Sequence, residues 1–338
     1  MNHHDRNNFD GVRLAAALAV LFSHQWRIAG GVEPHVLGPM TLGSLAVLVF
    51  FSISGYLVSA SWSADPTVWR FAARRILRIW PAYIVAVVGA ATWILMTDDR
   101  PLASMAAWMF MFKHLSLQPF EWAFFPLQHD PRLDPPLWTI PSELECYVVF
   151  ALVAALLRKW WPMLLAIAFV ATQVAWSWGL AAFDPSDASP ETDALTFGAF
   201  FAAGALLHGL PILREIRATV VLVAAGVAAF LARSPMVGLM LTVPVLSVAV
   251  GTRAWPGLVD AGRFGDLSYG IYLWGWPIQQ IVVSRLSSRL GFWPLALLAL
   301  VLVGLVAAMS WHLVEKRALR VKPSSRTPWP PSLKLTLA

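Results

Sequence analysis

Apolar residues run through this chain in long, nearly unbroken stretches, without the alternation of a half-buried strand or the narrow stripe of a surface helix. A hydrocarbon core about 30 Å thick requires about 20 mostly apolar residues per helix. Ten such runs occur, at 12–30, 42–61, 80–97, 137–157, 160–181, 193–211, 216–233, 235–252, 267–284 and 292–313. The pattern predicts an all-α polytopic membrane bundle of about ten transmembrane helices. The first run contains Arg13 and His24 and has no small-residue cleavage site after it, so it reads as a retained helix rather than a signal peptide.

Composition sharpens this picture. Of 338 residues, 58% are hydrophobic and only 13% charged, about half the charge of an ordinary soluble domain, which excludes a water-soluble globule and a disordered chain. Cys146 is the only cysteine, so no internal disulfide framework is possible. The 18 tryptophans suit rings placed at two membrane interfaces. The formal charge of +6 raises the question of nucleic acid, but the basic residues sit in short loops between apolar runs, and no nucleic-acid partner is expected. With a cytoplasmic N-terminus, 18 of the 25 Lys and Arg fall in inner segments, leaving only Arg27, Arg100, Lys113, Arg132, Arg233, Arg285 and Arg289 outside. This bias puts both termini in the cytoplasm, and the expected location is a bacterial inner membrane. The long outer segment from Asp98 to Pro136 is expected to be a lid or substrate rim. Residues 1–322 form one transmembrane domain in this reading, and 323–338, rich in Pro, Ser and Lys, a disordered cytoplasmic tail.

Ionisable groups within spans cost roughly 2.5–3.5 kcal/mol each on the lenient insertion scale, so each needs a reason. Arg13 and His24 are eleven residues apart, which returns to within about 20° of the same helix face with a rise of about 16.5 Å. With Arg13 at the cytoplasmic mouth, His24 is expected roughly half a bilayer deep. The pair suits a ligand with a charged end and a thin arm; equally, Arg13 can be a snorkelling cation and His24 a hydrogen-bonded interior histidine. Arg70, Arg74, Arg75 and Arg78 lie in RFAARRILR, between the second and third runs. In a helix, Arg70, Arg74 and Arg78 stack on one flank and Arg75 sits beside Arg78. Forked guanidinium groups suit phosphate, while topology alone also accounts for a basic inner loop. Glu143 falls on the first turns of the fourth run, near its outer end, where it is either a functional carboxylate or an acid favoured by the helix dipole.

Six strings carry a family resemblance: FDGVRLAAALAVLFSHQW with Arg13 and His24, LGSLAVLVFFSISGYLVS, RRILRIWPAY with Arg75 and Arg78, LWTIPSELECY with Glu143, LSYGIYLWGWPIQQ and WHLVEKRAL. Together and in this order they resemble the membrane acyltransferase-3 family, which O-acylates sugars, along nearly the whole chain and in its stand-alone form. Three positions depart from the family pattern. Gly275 stands where many members have histidine, Arg317 replaces a common proline, and Pro135 and Pro136 precede the LW pair.

The resemblance implies acetyl-CoA or another acyl-CoA as donor, a carbohydrate or glycolipid acceptor, a membrane-lipid environment and no metal. Arg13, Arg75 and Arg78 would hold the nucleotide phosphates. His24 would act as general base on the acceptor hydroxyl, with Glu143 orienting His24 or the acceptor, and Trp138, Tyr269 and Tyr272 are candidate acceptor contacts. The rival reading is a secondary transporter or channel for a small anion with His24 as proton relay, although no internal repeat supports it.

Overall fold

The computed structural model describes residues 7–37, 40–100, 102–118, 120, 123–125, 129–177, 190–210, 215–253 and 261–323. The helices are α1 (Phe9–Ile28), α2 (Leu42–Ala64), α3 (Val68–Thr97), α4 (Ala103–Leu115), α5 (Thr139–Leu157), α6 (Trp161–Ser177), α7 (Pro190–Gly209), α8 (Ile216–Leu231), α9 (Pro235–Thr252), α10 (Ser268–Leu286), α11 (Phe292–Ser310) and α12 (Lys316–Arg320). A small antiparallel pair, β1 (His35–Leu37) with β2 (Met40–Thr41), joins α1 to α2.

Each of the ten apolar runs falls on a helix, but length and apolar character alone qualify five helical stretches as spans: Leu42–Ala64, Val68–Thr97, Pro135–Val174, Pro235–Thr252 and Phe292–Arg320. The protein is an integral membrane helix bundle. α1 and α10 are interrupted by polar side chains: Arg13, His24, Gln25 and Arg27 on one, Gln279, Gln280 and Arg285 on the other. Two further differences from the sequence pattern concern the site. The third helix begins at Val68 rather than at 80, with Pro81 inside it, so the arginine stretch is helical and continuous with the span. The segment expected as an outer loop contains α4. The tail beyond residue 323 and most of the acidic 182–192 loop lie outside the described residues.

Small residues let the helices approach closely. A Cβ on Gly55 of α2 would lie 1.9 Å from the Phe201 carbonyl oxygen of α7, and one on Gly204 would lie 1.9 Å from that of Ser52. The main buried cluster joins α2, α3, α4, α5 and α7 through Leu48, Tyr83, Phe110, Phe150 and Phe200.

The feature that positions the site is the stretch 129–138, which runs into the bundle along α10. Gln280 donates to the carbonyls of Asp130 (2.5 Å) and Arg132 (3.2 Å), the Trp276 indole to that of Arg132 (3.2 Å), and the Tyr272 hydroxyl to that of Pro136 (2.9 Å). Irregular backbone is tolerated at membrane depth only where protein groups satisfy it, and three α10 side chains do so here. α5 therefore starts inside the bundle.

Candidate active site

α2 starts beside the end of α1: a Cβ on Gly43 would meet Ser23 Oγ at 3.1 Å and a Glu33 carboxylate oxygen at 3.4 Å. The bundle therefore has an Arg13 end and a His24 end. From the Arg13 end an elongated cavity of about 270 Å³ runs inward, lined by α2 from Val47 to Ser61, a rise of about 21 Å. Arg13, Arg75, Arg78, Glu143, Tyr269 and Tyr272, six of the eight side chains singled out from sequence, line it. Ser54, Tyr147, Ser268 and Lys322 join them and were not singled out.

The cations at the Arg13 end divide into two kinds. Arg13 and Arg78 both donate to Oδ2 of Asp266, Arg13 at 2.7 Å, and Arg78 also lies 3.7 Å from Glu315. Burial pushes the Asp266 carboxyl up, and the two guanidinium groups more than reverse this, so it stays well below the usual carboxylate range. Arg75 differs. Its guanidinium carbon lies 5.7 Å from the ring centres of both Phe71 and Tyr147, its buried Nε has no hydrogen-bond partner, and no ion pair joins it to a described carboxylate. Lys322, past the end of α12, is the other cation of this kind; desolvation, with Arg75, Arg78 and Arg74 nearby, lowers its ammonium to about 8. Arg70 and Arg74 take no part in the lining and pair with Asp65 at 3.1 and 2.9 Å.

Glu143 lies at a depth different from that expected. Because 129–138 descends along α10, Glu143 is not at the outer end: it accepts from Ser54 Oγ (3.1 Å) and from the Tyr147 hydroxyl. Ser54 is twelve residues from one end of α2 and ten from the other, so the carboxylate sits near mid-depth. His24 lies in the last turns of α1. α1 ends at Ile28 instead of 30, which leaves His24 four residues, or about 6 Å, from the helix terminus. Its ring packs edge-on against Trp276 with centroids 4.9 Å apart, and Glu33, Arg27, Asp130 and Arg132 are its charged neighbours. Arg27 ties this group together, 3.1 Å from Asp130 and 3.8 Å from Glu33.

His24 does not line the cavity. The cavity reaches Tyr272, whose hydroxyl bonds Thr139 Oγ1 (2.6 Å), and Trp276 beside His24 is one α10 turn farther on, about 6 Å. Gly275, the position of one departure, faces α1 here: a Cβ on it would lie 3.0 Å from Leu21 Cδ1. Tyr269 lies under Arg78 and donates to the Ile79 carbonyl at 3.0 Å. Trp138 is outside the lining and packs on Phe197, centroids 5.4 Å apart.

The sequence motifs point to a family, and comparison with known proteins shows that family. Residues 6–312 match the family described as an acyltransferase domain. The chain belongs to this acyltransferase family. It is 31% identical to an O-acetyl transferase of Shigella phage Sf6 over 94% of this chain and 97% of that protein. It is 27% identical to nodulation protein 10 of Rhizobium leguminosarum bv. viciae over 94% and 95%. With the acyltransferase MdmB of Streptomyces mycarofaciens it shares 30% identity over 45% of this chain and 41% of that one. No solved structure matches the chain.

Proposed function

We propose that this membrane acyltransferase moves an acyl group, acetyl in the simplest case, from acyl-CoA at the cytoplasmic face to a hydroxyl of a cell-surface or exported carbohydrate. The observation that carries the reading is the cavity itself. It has cations at one end that lack a carboxylate partner among the described residues, and its far end stops one helical turn short of His24. The nucleotide phosphates would lie on Arg75 and Lys322, with Arg78 and Arg13 behind them through Asp266, and the pantetheine arm would run past Glu143 towards Tyr272. A forked guanidinium without a competing carboxylate is well suited to phosphate.

At the far end, His24 in its neutral form would take the proton of the acceptor hydroxyl as that oxygen attacks the thioester carbonyl. The carbonyl carbon gains the new ester bond, the carbon–sulfur bond breaks, and the CoA thiolate leaves and is reprotonated. Glu33 and Asp130, held by Arg27, would stabilise the imidazolium formed in between. Glu143, bonded to Ser54 and Tyr147 at mid-depth, would position the arm. The side assignment rests on the excess of Lys and Arg at the Arg13 end, and the name of the phage relative favours acetyl transfer to oxygen. The test is release of free CoA from acetyl-CoA by purified protein, with and without a bacterial glycan extract. Acceptor-dependent thiol release supports the reading; no consumption of acetyl-CoA, propionyl-CoA or longer acyl-CoA would overturn it.

A further inference from the structure

A second cavity, of about 620 Å³, lies at the Arg13 end and shares no lining residue with the first. It forms between the 3-10 turn Ala261–Phe264 with the loop after it and the π-helical turn Trp311–Glu315. A π turn is wider than an α turn and is frequent at functional sites. Here it turns Glu315 inward, where Ser310 donates to it at 3.0 Å and Arg78 lies 3.7 Å away, and it leaves His312 and Lys316 exposed. The Trp311 indole closes against the loop because residue 265 is glycine. A Cβ there would lie 2.0 Å from Trp311 Nε1, and its φ of +105° is one that residues with side chains rarely adopt.

Among the described residues the lining of this cavity carries Arg263, His312 and Lys316, and the Asp10 carboxylate lies behind Gly262. Next to it an uncovered apolar stripe climbs the adjoining helix at a spacing of four: Leu313, Met309, Leu305, Val301 and Leu297, each at least half exposed. The stripe rises about 24 Å, most of the thickness of a hydrocarbon core.

We infer that this cavity seats the phosphate headgroup of an anionic phospholipid, with its acyl chains along the α11 stripe. Two observations select this occupant. Arg263 and Lys316, with His312 beside them, offer phosphate two cationic side chains, and a soluble phosphate would leave the stripe unused. Basic pockets beside transmembrane helices with a tryptophan at the interface suit such headgroups.

The test is native mass spectrometry of the full-length protein released from nanodiscs of equal parts phosphatidylglycerol and phosphatidylcholine. Wild type should retain phosphatidylglycerol preferentially, and Lys316→Gln should reduce that preference about fivefold, with a further drop in the His312→Gln, Lys316→Gln double variant. Both side chains are exposed, so thermal unfolding in phosphatidylcholine should not change. Equal retention of the two lipids by wild type, or an undiminished preference in the folded double variant, would overturn the assignment. Displacement of the retained lipid by millimolar glycerol 3-phosphate would also overturn it, by showing that the cavity serves a soluble phosphate.

Discussion

The division among the cavity arginines yields a prediction with two opposed readouts. Arg75 has a buried Nε with no partner and no described carboxylate in ion-pair contact, so its interaction with a phosphate is not traded against an ion pair within the described residues. A hydrogen bond to a charged group is worth about 1.5–3 kcal/mol, so Arg75→Ala should weaken CoA binding roughly 10- to 150-fold. Arg75→Lys should recover only part of this because the fork is lost. Arg13 already sits 2.7 Å from Asp266. Arg13→Ala removes one of two guanidinium groups from a buried carboxylate that keeps Arg78 and Ser268. It should cost about 1–3 kcal/mol of stability while changing CoA affinity by less than about threefold. Titration calorimetry with CoA and thermal unfolding in detergent measure the two effects separately. Equal losses of affinity in Arg13→Ala and Arg75→Ala, with unchanged stability in both, would refute the division.

Lys322 is lowered to about 8, so its ammonium is present at pH 7 and lost as pH rises through that value. CoA affinity should therefore fall between about pH 7 and 9 in wild type, and Lys322→Gln should bind more weakly at pH 7 without that pH dependence. Gly55→Leu would drive a side chain into the Phe201 carbonyl and should destabilise the bundle by at least about 1–3 kcal/mol, read as a lower unfolding temperature. Acceptor choice should follow the segment from Asp98 to Pro136, whose last residues line the route from the His24 end to Tyr272; exchanging it with that of a relative using another glycan should change the modified sugar and leave CoA affinity as it was.

The helices were legible in the sequence because an apolar run of span length has few other uses, and the cavity residues were legible because charges in such runs are costly. What escaped was depth. The 11-residue spacing of Arg13 and His24 fixes their separation but not where α1 stops, which is at Ile28, with Gly30 at φ +85° just beyond it. Glu143 was misplaced because a Pro-rich string reads as an outer boundary, whereas Gln280, Trp276 and Tyr272 draw that string into the bundle. Nothing local marks Gln279 and Gln280, because their partners, Leu21 and Gln25 for one and Asp130 and Arg132 for the other, lie 148 to 258 residues away. Asp266 and Lys322 lie in loops, where charge is ordinary, so nothing local distinguished the acid that occupies two arginines from any other loop acid.

In the proposed mechanism, donor binding at the Arg13 end and chemistry at His24 are separate parts of one path. Measuring acyl transfer and CoA affinity together in His24→Ala separates them. Loss of the proton acceptor should lower the rate by about 10²–10⁴-fold, with CoA affinity and unfolding temperature close to wild type, since His24 lies outside the cavity lining. Near wild-type transfer by the folded variant, or a loss of CoA affinity as large as that of Arg75→Ala, would contradict the account.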